Sequence, residues 1–221
     1  VQALKSKPNS SIVIGTRMVK EGKASAFVSA GSTGAVLAAA FTMLDRIPSI
    51  HRPALATVIG VNPEKPFVLI DAGANADCIP AYLVQFAQMG SIFASQHLGI
   101  AEPRVALLNN GEEELKGNRL ARESHQLLKN MPGINFIGNI EPQEILINKA
   151  EVVVTDGFTG NVLLKSAEAV SRLLLKTLKN ELMSSTRTRI GAALAKPAFD
   201  KVRRMLDPSE TGSAPLLGLN G

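Results

Sequence analysis

The 221-residue sequence contains no Trp, one Tyr, one Cys and three His, and aromatic residues make up only 4% of it. Each scarcity removes a class of function. Cys78 alone permits no internal disulfide, and His51, His97 and His125 show no zinc-ligand spacing, so no metal and no other cofactor is expected. A basic stretch without stacking aromatics does not suit single-stranded nucleic acid, and no nucleic-acid partner is expected. No apolar run is long enough to span a bilayer, and the opening Val-Gln-Ala-Leu-Lys lacks the apolar core and cleavage site of a signal peptide; a cytoplasmic location follows. The dinucleotide fingerprint Gly-x-Gly-x-x-Gly is also missing.

Hydrophobic residues, at 45%, are ample for a packed core. The net charge of +5 is unevenly placed, because residues 165–204 hold ten Lys and Arg against three Asp and Glu, leaving the remainder at −2. That basic segment fits an acidic protein or an anionic membrane. The chain begins without Met and stops shortly after the apolar 214–219, so both termini are expected to be cuts through a longer protein.

The organising stretch is 150–165. Its β-branched run 152–154 predicts a buried strand, 155–161 a polar glycine turn, and 162 onward a long amphipathic helix. Gly157 and Gly160 let backbone approach a ligand, while Asp156, Thr159 and Asn161 either cap the helix or hydrogen-bond an oxyanion. A second such unit is expected at 24–44: a strand at 24–29, the turn Ala30-Gly-Ser-Thr-Gly34, and a small-residue helix at 35–44. Ser32 and Thr33 there serve either as a phosphate cradle or as hydroxyl caps.

Elsewhere the patterning predicts helices at 9–22, 79–98, 119–129 and 142–148, and strands at 54–61, 67–70, 104–108 and 134–137. Asp71 ends a buried strand, where ligands bind in open α/β sheets. Cys78 precedes a helix whose N-terminus can lower a thiol pKa, although no motif places a base beside it. The loop 109–117 is not a P-loop, because it lacks the second Gly before Lys116 and the Ser or Thr after it. Lys116 is either an anion-binding charge or solvated, and Glu112 to Glu114 read as a solvated run. Alternating strands and helices give a layered α/β sheet whose loops from Ser29, Asp71, Asn109 and Thr155 are expected to converge on one cleft.

Three segments carry a resemblance: Ser-Ala-Gly-Ser-Thr-Gly-Ala at 29–35, Leu-Leu-Asn-Asn-Gly-Glu-Glu-Glu-Leu-Lys-Gly at 107–117, and Val-Val-Thr-Asp-Gly-Phe-Thr-Gly-Asn-Val at 153–162. Together they resemble the phosphate:acyl-(acyl carrier protein) acyltransferase family, PlsX, of bacterial phospholipid synthesis. Ser32, Asn110 and 211–213 depart from the usual family wording. The resemblance implies a mostly parallel sheet similar to the isocitrate/isopropylmalate dehydrogenase-like fold and to phosphotransacetylase. It also implies transfer of a fatty acyl group from an acyl carrier protein thioester to inorganic phosphate, by a homodimer that hands acyl phosphate to a membrane glycerol-phosphate acyltransferase.

Such a reaction needs positioning and charge more than a nucleophilic side chain, since phosphate is itself the nucleophile. On this reading Ser32, Thr33, Gly34, Thr159 and Gly160 cradle phosphate. Lys116, Asn109 and Asn161 compensate charge, and Asp71 and Asp156 orient. Arg172, Lys176, Lys179, Arg203 and Arg204 are candidates for docking the acidic carrier protein, or are simply solvated. Two rival readings remain open: a metal- and NAD-dependent decarboxylating dehydrogenase with Asp71, Asp77 and Asp156 as ligands, and a peripheral membrane module without catalysis.

The expected division is a ligand-binding core at 1–161, a projecting helical hairpin at 162–206, and a return to the core at 207–221. Leu163, Ala167, Val170, Leu174, Leu178 and Leu182 recur at helical spacing over more length than the sheet can cover, so a partner copy is expected to bury the excess. Ile190, Leu194 and Phe199, ringed by cations, suit an anionic membrane surface; the alternative is a tip packed on the protein's own sheet.

Overall fold

The computed structural model describes residues 6–60, 65–205 and 213–221. The expected strand end at 61, most of the turn at 62–66 and the departure at 211–212 lie outside the described residues. Helices α1 (Ser11–Lys20) and α2 (Thr33–Met43) precede strands β1 (Ala54–Ile59) and β2 (Phe67–Ile70). Then come α3 (Pro80–Leu98), β3 (Arg104–Leu108), α4 (Arg119–Lys129), β4 (Asn135–Ile140), α5 (Pro142–Ile145) and β5 (Val152–Val154). Helices α6 (Gly157–Leu182), α7 (Thr186–Leu194) and α8 (Lys196–Met205) follow, and β6 (Leu216–Leu217) closes the order.

The sheet runs β4-β3-β5-β2-β1-β6. Its four strands from β4 to β2 are parallel, and β1 and β6 join antiparallel at one side. The sequence explains the centre. β2 and β5 are buried at every position, as unbroken apolar runs must be when a parallel sheet is covered on both faces. Val68, Ile70, Val105, Leu107, Val152 and Val154 point toward α3 and α4, where Leu83, Phe86 and Leu128 meet them. Phe67, Leu69, Ala106, Leu108 and Val153 face the other way, toward Ile145 and the base of α6 at Leu163. Helix α3 comes close because Gly90 has no side chain: a Cβ there would lie 2.7 Å from Val152 and 3.0 Å from Ile70.

Three expectations change. Residues 24–29 form no strand; Val28 is 75% exposed and the segment finds no ladder partner among the described residues. β4 runs to Ile140, three residues past the expected end, because Gly138 at φ +104 absorbs a register shift against β3 and pairing resumes beyond it. Helix α6 begins at Gly157 instead of residue 162, capped by Asp156.

From Val162 onward no residue of α6 is buried, and neither α7 nor α8 has a buried residue. Leu163 packs on the core, but Val170, Leu174 and Leu178 remain exposed on α6, so the middle of the apolar stripe read from the sequence is uncovered in this chain.

The parallel strands are tied at their entry end by Arg104 and Glu151. The Arg104 backbone N–H donates to Glu151 at 2.7 Å, its Nε to both carboxylate oxygens at 3.0 and 3.1 Å, and an Nη2 contact completes the fork. Burial pushes the Glu151 carboxyl up, but the guanidinium and amide bonds outweigh it and hold the group below its usual range. A folded-state pKa below the unfolded value contributes stability that is present above the unfolded pKa and lost as pH falls through the folded one. Glu151→Gln is expected to lower stability at neutral pH by roughly 1–3 kcal/mol. Denaturant midpoints measured from neutral pH into the acid range should show the difference from the unsubstituted protein shrinking as pH falls.

Candidate functional site

Asp71 leaves β2 at the centre of the sheet and is fully buried. Its Oδ1 accepts from the backbone N–H groups of Leu55 at 3.0 Å, Gly73 at 3.1 Å and Ala74 at 2.9 Å. Its Oδ2 accepts from Asn75 N at 2.7 Å and Asn75 Nδ2 at 2.8 Å. The carboxylate is therefore turned into its own loop, where it positions backbone instead of facing a ligand. Helix α6 rests on that loop: Gly157 N donates to Asn75 O at 2.8 Å, and a Cβ on Gly160 would lie 2.1 Å from Asp71 O. Both glycines of the organising stretch have a packing reason. Asn161 is exposed and sits against Gly73.

Asp156 caps α6, accepting from Thr159 N at 2.8 Å and Thr159 Oγ1 at 2.7 Å. Gly160 N makes the first helical bond, to Asp156 O at 2.9 Å. The donors expected of Thr159 and Gly160 are thus spent inside the cap, and the carboxylate already occupies the positive end of the helix. Neither Thr159 nor Asn161 is the cap residue.

The N-terminus of α2 is in the opposite state. Ser32 stands at the N-cap and makes no side-chain cap bond, although its carbonyl accepts from Ala35 and Val36. Ser32, Thr33 and Gly34 are exposed. A Cβ on Gly34 would come no nearer than 3.9 Å, to Ser32 Oγ, so the space over this turn is open. Uncapped amides with a helix dipole behind them and two hydroxyls beside them are the groups from which helix N-termini build anion sites.

The four loops line two cavities, joined where the Asp71 loop touches the start of α6. Asn109, Asn110, Thr155, Asp156 and Thr159 line one of about 640 Å³ at the strand ends. Ser29, Gly31, Thr33 and Ala74 line another of about 460 Å³ beside α2. Asn109 clamps its loop, its Oδ1 accepting from Asn110 N at 2.9 Å and its Nδ2 donating to Lys116 O at 3.1 Å. Lys116 is exposed and outside the residues lining the cavity. Glu112 and Glu114 are more than a solvated run, since Glu112 pairs with Lys149 at 3.2 Å and Glu114 with Lys129 at 2.5 Å. Sequence reading missed His125, buried beneath this loop with Nδ1 2.8 Å from Asn139 Oδ1 while Asn139 Nδ2 donates to Glu113 O at 2.9 Å. Only its place on the buried face of an amphipathic helix signalled it.

Cys78 is not an activated thiol. Burial pushes its pKa up to about 12, with Asp71 and Asp156 adding to the rise, and this outweighs the Gly157 backbone. Asp71, Asp77 and Asp156 all act on Cys78, yet no group of three His, Cys, Asp or Glu placed to hold a metal occurs among the described residues.

The cations Arg172, Lys176, Lys179, Arg203 and Arg204 are all exposed, with Arg172 3.6 Å from Glu168. Ile190 is 60% and Leu194 80% exposed, while Phe199 is half-buried. No helix among the described residues is long and apolar enough to cross a membrane.

These features define an α/β protein built on a mostly parallel sheet. The backbone is similar to that of a phosphotransacetylase from Streptococcus pyogenes, with a TM-score of 0.55 and 21% identity over 72% of this chain and 54% of that one. A branched-chain phosphotransacylase from Enterococcus faecalis is similar at a TM-score of 0.50 and 18% identity, over 72% of this chain and 64% of that one.

The family model described as "Fatty acid synthesis protein" matches residues 1–221, and the chain belongs to that family. It is 52% identical over 223 residues to a protein named phosphate acyltransferase from Dehalococcoides mccartyi, and 50% identical over 219 residues to one so named from Heliobacterium modesticaldum. These matches take in 100% and 99% of this chain but 64% and 65% of the two relatives.

Asp71 is the residue whose loss should be felt most widely. Asp71→Asn replaces an acceptor with a donor facing N–H groups and should lower stability by roughly 2–4 kcal/mol. A urea midpoint within error of the unsubstituted protein would show that the carboxylate does not organise the loop.

Proposed function

We propose that the protein moves a fatty acyl group from the thioester of an acyl carrier protein to inorganic phosphate, releasing acyl phosphate for phospholipid synthesis. Membership of the fatty acid synthesis family and likeness to proteins named phosphate acyltransferase support this. The observation that carries it to particular residues is the open N-terminus of α2, which offers the amides of Thr33 and Gly34 and the hydroxyls of Ser32 and Thr33 to a phosphate. Phosphate bound there attacks the thioester carbonyl, and the thiol of the carrier departs. Holding the two reactants together supplies ~7–11 kcal/mol of the barrier reduction, so no side-chain nucleophile is required. Asn109, Asn161 and Lys116 remain proposed charge-compensating groups, and Asp71 and Asp156 remain proposed orienting groups, holding the 71–75 loop and the start of α6. The same proposal extends to the fold, read as isocitrate/isopropylmalate dehydrogenase-like, with the likeness to phosphotransacetylases in its support.

Gly34→Ala should leave the fold intact, because the added Cβ meets only open space. Its methyl group intrudes on the anion, and the KM for phosphate should rise roughly 10-fold with kcat little changed, about the loss of one charged hydrogen bond. Unchanged phosphate dependence in an acyl phosphate assay would remove the α2 cradle.

The exposed apolar face of α6, the cations of α6 and α8, and the tip at Ile190, Leu194 and Phe199 complete the proposal. The division into a core at 1–161, a projecting hairpin at 162–206 and a returning segment at 207–221 is part of it. One face buries against a second copy, the cations receive the acidic carrier protein, and the tip rests on an anionic leaflet from cytoplasmic solution, where a membrane glycerol-phosphate acyltransferase takes the product. Exposure of the five cations, of Val170, Leu174 and Leu178 on α6, and of Ile190 and Leu194 at the tip supports the reading, with Phe199 half-buried. Leu194→Glu should abolish cosedimentation with anionic liposomes; equal sedimentation of both proteins would refute a membrane tip.

A further inference from the structure

The 460 Å³ cavity lies between α1, α2, the extended segment at 26–29 and the β6 region. Thr33, Val36, Leu37, Ala40 and Leu44 all line it, and their spacing puts them on one face of α2. At 1.5 Å per residue the cavity follows that helix for about 16 Å, making it a slot. Val19 on α1, Leu55 on β1, Leu216 in β6 and Leu219 just after it supply apolar surface along its length. Ser29, Gly31 and Thr33 make a polar end at the α2 N-terminus, lining the same space as Ala74 of the Asp71 loop, while Thr16 and Ser213 are the other hydroxyl residues of the lining. A hydroxyl- and amide-rich head continuous with a long apolar body matches an amphiphile whose single polar end is an acyl carbonyl.

We propose that this slot holds the fatty acyl chain of the donor, with the carbonyl at Ser29–Thr33 and the tail running along α2 toward Leu44, so that α2 measures chain length. The assignment rests on the acyl-transfer reading given above and deepens it, because the cradle for phosphate and the head of the slot share Thr33. Ala40, buried and small, sets the width partway down, and Leu44 sets the far end.

The test uses the intact protein and a series of acyl carrier protein donors from octanoyl to octadecanoyl, with acyl phosphate trapped by hydroxylamine. Ala40→Phe should depress turnover of hexadecanoyl relative to octanoyl donors by at least roughly 10-fold, each excluded methylene being discriminated at about that level. Leu44→Ala should shift the preference toward longer chains. Opposite shifts from two core substitutions are not a consequence of general destabilisation, and Leu44→Ala carries the test alone if Ala40→Phe fails to fold. A second readout does not depend on turnover: fluorescence of bound cis-parinaric acid should appear with the unsubstituted protein, be reduced at least several-fold by Ala40→Phe, which narrows the slot, and be raised by Leu44→Ala, which lengthens it. Should no donor give acyl phosphate while parinarate binds and responds to the substitutions, the slot stands and the transfer reading falls. Chain-length profiles parallel to the unsubstituted protein, or parinarate binding indifferent to both substitutions, would overturn the slot.

Discussion

The ligand end of the sheet depends on how the Asp71 carboxylate is satisfied. A buried charge is costly unless hydrogen-bonded, and here five N–H bonds from Leu55, Gly73, Ala74 and Asn75 surround it. One of those donors belongs to β1 and the rest to the loop after β2, so the carboxylate fixes the turn against the neighbouring strand. The turn in turn sets where α6 begins. Asn75 O takes the Gly157 N–H, and the Asp71 carbonyl presses on Gly160 closely enough that a side chain there would collide.

That arrangement sorts the two strand-turn-helix units into different roles. Both helices present the same partial positive charge at their N-termini. In α6 a carboxylate from Asp156 already answers it, and Thr159 is consumed in doing so. In α2 the cap residue Ser32 leaves the end open toward solvent and toward the apolar slot. An anion and an apolar chain can therefore meet at Thr33, while the strand-end cavity between the 109–117 loop and α6 is bounded by the clamped Asn109 and the capped helix. The long exposed face of α6 and the short helices that follow stand apart from this chemistry, sharing with it only the first turn of the helix.

Much of the fold was legible because the signals were local. The runs 105–108 and 152–154 lie in strands at the expected residues, since four or three consecutive apolar residues bounded by polar loops suit a parallel strand covered on both faces. The helix at Arg119–Lys129 was equally plain from its periodicity, with Asn118 as its cap. Residues 24–29 misled, because a β pattern predicts a strand only if a neighbour supplies the ladder, and no sequence window reports the neighbour.

The candidate site divides along the same line. From the sequence alone come the identity of the turns, the presence of Ser32, Thr33 and Gly34 at a helix start, Asp71 at a strand end, and the family motifs at 29–35, 107–117 and 153–162. Which hydroxyls and amides remain open was decided only by tertiary contacts. Whether Asp71 faces a ligand or its own loop, whether Thr159 binds phosphate or Asp156, and whether Cys78 is ionised or forced neutral all depend on groups brought together across the sheet. Hydrogen-bond saturation and desolvation are properties of the assembled surroundings of an atom, and residue type and spacing do not carry them.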